Sequence, residues 1–375
     1  MAAATAPSTQ LHLWSGDGPI TRTILGIEPR DAKSSEIPII DVSGIYSTEL
    51  AERAAVARKI REACTNMGFF YIKNHGVSRD TTDAAYKSCL RFFRQPTDVK
   101  KKAISPQPDV FNGYHAAATQ RINPFESVDV RESFSWKYDP VYDESVADVA
   151  QIPAEAAECI VSDEFIWEAT QNIPEFKDAI VAYWQSCLKL SRALVQCFAL
   201  SLGLEEDFFD AKFTYPDATF NVNYYPSMEK PATAADASSQ VSIGSHTDFQ
   251  LFTILWQDQC GGLQVLNKQG QWLNAKPVDG TFVVNIADYL QRITNDLYVS
   301  TVHRAQNWSG KERISMPIFF GFNLSESCGV IDNCVQAGET KKYDEVSCRE
   351  WVNRRSKKMH QTSASSTSTS TSSSS

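Results

Sequence analysis

The sequence predicts an α+β fold in which a jelly roll, or double-stranded β-helix, forms the core, with flanking helices and an N-terminal extension of helices and strands. Two observations support this prediction. Apolar residues recur at helical spacing in the first half of the chain, whereas from residue 220 onward they follow short strand-like runs. Glycine-containing turn signals separate about eight such runs, which is typical of a double-sheet jelly roll with room for a small ligand.

The N-terminal half begins with residues 1–36, whose small, polar and turn-forming residues predict a loosely ordered arm. An N-terminal region over 37–140 follows, and the acidic stretch 141–170 is expected to be a variable loop. Pro38 limits the first strand to a sheet edge, because proline cannot donate to a strand ladder. The expected elements are an edge strand at 37–42, a helix from Ser47 or Thr48 to Cys64, a strand at 68–72 and a helix at 80–93.

The catalytic core is expected over 171–356, as one long helix followed by the jelly roll. Pro174 suits the first turn of that helix, and Gly203 is placed to end it. A polar loop is predicted at 231–239, a closing helix near 344–355 and a disordered Ser/Thr-rich tail at 357–375. The expected strands are 220–225, 241–246, 251–256, 263–266, 271–275, 281–286, 299–304 and 313–322.

Composition excludes several classes of protein. A net charge of −9 over 375 residues argues against a nucleic-acid partner, because phosphate contacts need clustered Lys and Arg. Nine scattered cysteines without a CxxC pair fit reduced thiols rather than a disulfide framework. Neither a secretory signal nor an apolar run long enough for a membrane span occurs. We therefore expect a cytoplasmic protein without a membrane partner, as a monomer or weak oligomer.

The stretch Gly244–Trp256 carries two potential metal ligands, His246 and Asp248, one residue apart in an apolar, strand-forming context. Alternate residues of a strand share a face, so the two side chains can bind one ion. Non-haem iron(II) takes two histidines and one carboxylate, and His303 is the remaining histidine in a strand-rich segment. A lone buried histidine is more often a core residue, which is the interpretation preferred for His75. A buried aspartate in an apolar strand, however, needs a partner.

Arg313 and Ser315 lie ten and twelve residues after His303 and share one face of a predicted strand. A guanidinium offers two parallel donors to a carboxylate, and the hydroxyl can add a third. The pair therefore predicts a binding site for the far carboxylate of a co-substrate. Considered without the histidines, Arg313 would be a structural ion-pair partner and Ser315 a solvent-facing residue.

These motifs in this order resemble the iron(II)/2-oxoglutarate-dependent dioxygenases, in the branch of isopenicillin N synthase, aminocyclopropane-carboxylate oxidase and the plant flavonoid and gibberellin oxidases. The similarity covers roughly residues 37–354 and extends to the sequence around the motifs. This flanking sequence resembles that of fungal members, many of which act in specialised metabolism. The matching segments are IPIIDVSGI at 37–45, GFFYIKNHGV at 68–77, NVNYYPS at 221–227, GGLQVLNKQGQW at 261–272, GTFVVNIADYLQRITND at 280–296 and ISMPIFFGFN at 314–323.

The resemblance implies an enzyme that uses iron(II), 2-oxoglutarate and O2 to oxidise a C–H bond of a small organic molecule. Hydroxylation, desaturation or ring rearrangement would be accompanied by succinate and CO2. Asn223 and Tyr225 of NVNYYPS would help Arg313 and Ser315 to hold 2-oxoglutarate. An aromatic or flat, apolar substrate is expected from the candidate contact residues, although aromatic residues of a barrel are more often core. These candidates are Phe111, Tyr114, Arg121, Phe134, Trp136, Phe220 and Phe249.

Three alternatives remain at this point. An oxidase of the same fold without 2-oxoglutarate would also keep the Arg-x-Ser pair, and the Asn223-x-Tyr225 pair only favours the 2-oxoglutarate enzyme. A non-catalytic cupin-like binding protein would be distinguished by its metal content. A protein- or nucleic-acid-modifying dioxygenase is disfavoured by the acidic charge and by the long N-terminal half.

Overall fold

The computed structural model describes residues 7–107, 111–161, 164–229 and 241–360, with the backbone alone for 357–360. The loop expected at 231–239 and the tail from 361 onward lie outside these residues. The strands are β1 Ser8–Ser15, β2 Gly18–Leu25, β3 Arg30–Asp31, β4 Ile39–Asp41, β5 Phe69–Lys73, β6 Gly113–His115, β7 Glu132–Trp136, β8 Asp217–Tyr225, β9 Ile243–His246, β10 Phe252–Gln257, β11 Leu263–Leu266, β12 Trp272–Asn274, β13 Thr281–Ile286, β14 His303–Ala305, β15 Arg313–Gly321, β16 Ser327–Cys328 and β17 Val346–Ser347. The helices are α1 Leu50–Asn66, α2 Arg79–Phe93, α3 Thr97–Lys100, α4 Ala154–Ala157, α5 Phe165–Ala169, α6 Phe176–Ser201, a short helix at Asp288–Ile293 and a C-terminal helix at Cys348–His360.

The larger sheet has eight strands in the order β4-β5-β13-β10-β15-β8-β7-β6. Its two longest neighbours, β8 and β15, are antiparallel and place Arg313 opposite Tyr225 at one end and Gly321 opposite Asp217 at the other. The strand β4 pairs only with β5, as expected for an edge strand. The long β8–β15 pair forms one wall of the interior.

The smaller sheet has five strands in the order β3-β12-β11-β14-β9 and packs against the larger one. Apolar residues of both sheets share one buried cluster, for example Leu255 and Val283 with Leu263 and Leu273. Two facing antiparallel sheets of this kind form a jelly roll. The fold class predicted from the strand pattern is therefore confirmed.

Helices cover the outer face of the larger sheet. Along β8, Ala218, Phe220 and Val222 belong to the main core together with α1, α2 and α6, and the Trp184 indole N–H donates to the Ala218 carbonyl over 3.2 Å. The alternate residues of β8 face the interior, as the two-residue period of a strand requires. Within the described residues, none of these helices combines the length and apolar character that crossing a membrane requires.

Residues 8–25 form a hairpin rather than the loosely ordered arm expected for 1–36. Leu11 and Leu13 alternate along β1 and pack against Leu266 and Trp272 of the smaller sheet. The expectation was wrong for these residues because their apolar alternation is only two side chains long, and its partner surface lies about 250 residues later in the chain.

The segment 141–170 and the C-terminus are also more regular than expected. Short helical turns at Val149–Gln151 and the helices α4 and α5 divide the predicted acidic loop. The C-terminal helix crosses the boundary predicted at residue 357. The Trp351 indole donates to the Phe249 carbonyl over 2.6 Å, and Arg355 donates to the carbonyls of Trp14 and Thr247. The N-terminal hairpin and the C-terminal helix are therefore both attached beside Thr247 and Phe249, the neighbours of the candidate ligand Asp248.

His75 is a buried histidine whose titration should affect stability. Its ring stacks on Phe282 with centroids 4.1 Å apart, and the Val77 backbone N–H donates to its Nδ1. Burial lowers the pKa of His75 to about 4, whereas the unfolded chain takes up this proton near pH 6.5. Since the unfolded state binds more protons within this window, the free energy of unfolding should fall by roughly 2–3 kcal/mol as the pH drops through it.

Urea unfolding of wild type, His75→Phe and the exposed-site control His12→Phe at pH 7 and pH 5 measures this contribution. The dependence on pH should become flatter in His75→Phe alone. An unchanged slope in that variant would assign the acid sensitivity to other groups.

Candidate functional site

The residues predicted to bind metal and co-substrate meet in one cavity of about 350 Å³ between the two sheets. Polar side chains from the smaller sheet and from the β8–β15 wall surround it, with apolar residues between them. All seven predicted residues line this cavity: His246, Asp248, His303, Arg313, Ser315, Tyr225 and Asn223.

The three candidate metal ligands converge within this cavity. His246 ends β9 and lies directly opposite His303, which begins β14. The Oδ1 atom of Asp248 is 3.7 Å from the Nε2 atom of each histidine, and one donor atom from each residue lies within 4.8 Å of the others. Two imidazoles and one carboxylate at this spacing fit one divalent ion.

Backbone carbonyls fix the tautomer of both histidines. The Nδ1 atom of His246 is 2.8 Å from the Gly244 carbonyl oxygen, and that of His303 is 3.1 Å from the Thr301 carbonyl oxygen. A carbonyl only accepts, so each Nδ1 carries the proton and donates it, which leaves the Nε2 lone pairs facing each other and Asp248. Burial and the neighbouring His303 hold the pKa of His246 well below its usual value, and the neutral imidazole is the metal-binding form.

The carboxylate of Asp248 is oriented from its other side. Its Oδ2 accepts hydrogen bonds from the Thr253 hydroxyl over 2.5 Å and from the Asn285 amide over 2.7 Å. Burial alone would raise the pKa of Asp248, but the two histidines and these donors outweigh it, and the pKa lies below its usual value. The sequence offers a signal for both donors, since each is a polar residue within an apolar strand and needs a buried partner.

Removing the hydroxyl that orients Asp248 should weaken metal binding. We expect Thr253→Val to lower iron(II) affinity by about 10- to 100-fold, because partners of a ligand fix its orientation and basicity. Anaerobic competition with a chromogenic chelator measures the affinity. Thr281→Val, which removes a hydroxyl bound only to the Val278 carbonyl, is the control and should bind as wild type does. Equal affinity in both variants would show that Thr253 does not support the ligand.

Two carboxylates that sequence reasoning missed attach β9, the strand that ends at His246, to the irregular segment before β7. The Ser245 backbone N–H and hydroxyl donate to Glu126 over 2.5 and 2.9 Å, and the Gly244 N–H donates to Asp129 over 3.1 Å. A Cβ on Gly244 would lie 2.9 Å from the Glu126 carboxylate, so glycine permits this approach. Burial raises the pKa of Asp129 to about 6. No sequence pattern indicates which strand these acids contact.

Arg313 lies at the other end of the cavity and is only 2% exposed. Its guanidinium lies 4.6 Å from the Tyr225 ring centroid and donates to the Gly261 carbonyl, to Gln257 and to Ser315. All of these acceptors are neutral. Among the described residues, no carboxylate forms an ion pair with this guanidinium within 4.0 Å, and Asp258 interacts with it only over a longer distance.

Asn223 faces the cavity from β8, directly opposite Ser315. Its carbonyl oxygen accepts from Arg131 over 2.5 Å and from Asn221 over 3.2 Å. Arg131 lines the same cavity and lies 3.7 Å from Asp129. Sequence reasoning did not single out Arg131, because the irregular chain before β7 gives no period from which to predict its direction.

The predicted substrate contacts divide into two groups. Phe111 and Phe249 line the cavity, and the others do not. The strands β6, β7 and β8 direct four of the aromatic candidates toward the helices, because the polar alternate positions of β8 face the cavity. Four aromatic candidates therefore belong to the main core: Tyr114, Phe134, Trp136 and Phe220. The fifth candidate outside the cavity lining is Arg121.

A jelly roll that brings two histidines and one carboxylate together is the arrangement of mononuclear non-haem iron oxygenases. Comparison with known sequence families agrees. Residues 37–155 match the family described as non-haem dioxygenase in morphine synthesis N-terminal, and residues 216–322 match the 2OG-Fe(II) oxygenase superfamily.

Individual proteins extend this similarity over nearly the whole chain. The 2-oxoglutarate-Fe(II) type oxidoreductase ppzC of Metarhizium majus is 54% identical over 94% of this chain and 96% of its own length. The 2-oxoglutarate-Fe(II) type oxidoreductase hxnY of Emericella nidulans is 34% identical, over 84% and 88%. A full-length Neurospora crassa protein crystallised in complex with alpha-KG has the same fold, with a TM-score of 0.73 at 24% identity over 88% of this chain and 99% of that one. The chain belongs to the 2OG-Fe(II) oxygenase superfamily, and its relatives named as 2-oxoglutarate-Fe(II) oxidoreductases indicate iron(II) as its cofactor and 2-oxoglutarate and O2 as its co-substrates.

Proposed function

We propose that this oxygenase oxidises a C–H bond of a small organic molecule in specialised metabolism, with His246, Asp248 and His303 as the iron ligands. The fungal relatives support the metabolic context. When bound, iron(II) and 2-oxoglutarate supply the oxidative decarboxylation to succinate and CO2 that drives substrate oxidation by O2.

The observation that carries this proposal is the buried Arg313 guanidinium in the same cavity as the three ligands. Burying an unpaired charge costs several kcal/mol unless a partner compensates for it. The far carboxylate of 2-oxoglutarate can accept two parallel hydrogen bonds from this side chain. Tyr225 lies opposite Arg313 on β8, and Ser315, two residues along β15, lies opposite Asn223, so these four residues form a polar end of the cavity.

The remaining residues of the cavity hold the substrate and limit the entry of water. Apolar side chains from three parts of the fold, Phe249, Phe319 and Val352, form walls beside the metal ligands. Flat apolar walls fit a substrate with a flat or ring-shaped apolar body. The protein's role is to hold one C–H bond of that body near the metal.

Anaerobic addition of iron(II) and then 2-oxoglutarate to the metal-free protein tests the proposal. We expect the visible charge-transfer band of an iron-bound keto acid. Iron binding without this band would favour the oxidase that does not use 2-oxoglutarate. Failure to bind iron would favour the non-catalytic binding protein.

A further inference from the structure

The wall formed by β8 and β15 has two polar ends, and only one of them is assigned to 2-oxoglutarate. Thr253, which orients the ligand Asp248, pairs with Phe319 of β15, and Phe319 pairs with Thr219 of β8. The row of paired residues Thr253, Phe319 and Thr219 therefore lies next to Asp248 and marks the position of the proposed metal ligands along the β8–β15 wall. Arg313 lies six residues from Phe319 along β15, toward one end of the wall. Asp217 lies two residues from Thr219 along β8, toward the opposite end, and strand spacing makes this second separation roughly 7 Å.

Asp217 is a carboxylate that faces the cavity and is only 8% exposed. It accepts a hydrogen bond from the Gln250 amide and a longer one, 3.5 Å, from the Thr219 hydroxyl. Among the described residues, no Lys or Arg nitrogen lies within 4.0 Å of it. Lys137 lines the same cavity at a greater distance. Burial raises the pKa of Asp217, and Lys137 only partly opposes this effect.

The segment around Gln250 holds the Asp217 side chain in a fixed direction. Gln250 follows the ligand Asp248 by two residues, and its backbone carbonyl accepts from the Tyr289 N–H over 2.9 Å. The Gln250 amide lies against Gly321, where an added Cβ would be 3.0 Å from its nitrogen. A carboxylate offers about four lone-pair positions, and the two side-chain donors leave others available on a residue that lines the cavity.

We propose that Asp217 binds a protonated nitrogen of the substrate, so that the enzyme acts on an amine or nitrogen base with an apolar body. The inference rests on the proposed function of the cavity. A buried carboxylate without a cation incurs a desolvation cost that a substrate ammonium group would offset. With 2-oxoglutarate on the Arg313 side of the ligand row, a nitrogen at Asp217 would place the apolar body beside the metal.

Three probes of similar shape and different charge test the inference: cyclohexylamine, cyclohexanol and cyclohexanecarboxylate. Binding is measured by ligand-observed NMR on the zinc-loaded protein with 2-oxoglutarate and, separately, on the metal-free protein. We expect cyclohexylamine to bind at least tenfold more tightly than cyclohexanol. Asp217→Asn should abolish this difference, and Asp279→Asn, an equal charge change at an exposed pair with Arg79, should leave it intact.

Equal binding of amine and alcohol by wild type, or a preference for the amine that survives in Asp217→Asn, would overturn the inference. Preference for the carboxylate would overturn it as well and would point to Lys137 and the exposed Arg349 at the cavity edge. Circular dichroism confirms that each variant is folded. Because the metal-free measurement needs neither iron nor turnover, its failure is distinguishable from the absence of the charge-transfer band.

Discussion

Replacing His246 by alanine should lower succinate formation by more than about 100-fold. The reason is that the variant would lose one of the three proposed protein donors, whereas altering a residue that merely supports a ligand costs about 10- to 100-fold. The anaerobic charge-transfer band should disappear together with the activity. The two measurements report binding of the metal and turnover separately.

The control for this variant is His12→Ala, at an exposed position of the N-terminal hairpin. It should keep both the band and the activity. If His246→Ala retained a band of normal intensity at the same iron concentration, the assignment of the metal site would have to be abandoned. A thermal unfolding curve similar to that of metal-free wild type would show that the loss is chemical rather than structural.

Replacing Arg313 by alanine should weaken 2-oxoglutarate binding by about 100-fold or more. Charge-assisted hydrogen bonds contribute about 1.5–3 kcal/mol each, and two of them correspond to at least two powers of ten in affinity. The half-saturation concentration of 2-oxoglutarate for the charge-transfer band is the measurement. Iron(II) affinity without 2-oxoglutarate should remain close to that of wild type, because Arg313 does not contact the ligands.

Two further variants sharpen this test. Arg313→Lys keeps the charge but loses the planar pair of donors, so its affinity should lie between those of wild type and Arg313→Ala. Arg79→Ala removes an exposed arginine and should change nothing. Wild-type affinity in Arg313→Ala would mean that 2-oxoglutarate binds elsewhere, and equal losses of iron and 2-oxoglutarate would indicate a general disruption of the cavity.

Much of the fold could be predicted from local periodicity. Seven of the predicted strand runs correspond closely to β8–β13 and β15, and the long helix predicted to end before Gly203 ends at Ser201. The three candidate metal ligands were found because their chemistry is uncommon in apolar strands, and the structure brings them together. The strand and helix periods and the His246-x-Asp248 pair each lie within a short stretch of sequence, and His303 was assigned from its own strand-rich segment.

The direction of the aromatic residues could not be predicted in the same way. Alternation shows that Phe220 and Val222 share a face of β8, but in a strand buried on both sides it does not show which face meets the cavity. Here the helices cover the apolar face, and the polar face forms the site. Arg131 follows an irregular segment, so no period in the sequence predicts its contacts. The N-terminal hairpin packs against residues that lie far along the sequence, so its position has no local signal either.

The single wall built from β8 and β15 has a consequence for how substrate range diverges among related enzymes. Substitutions at Asp217, Thr219 or Gly321 change one end of a rigid ladder, while Arg313 and Ser315 at the other end keep their register. Under the role proposed for Asp217, a related enzyme can therefore change the residue that binds the substrate and keep the residues proposed to bind 2-oxoglutarate. Exchanging the residues at positions 217, 219 and 321 between two relatives should transfer the preference for a substrate and leave the requirement for 2-oxoglutarate unchanged.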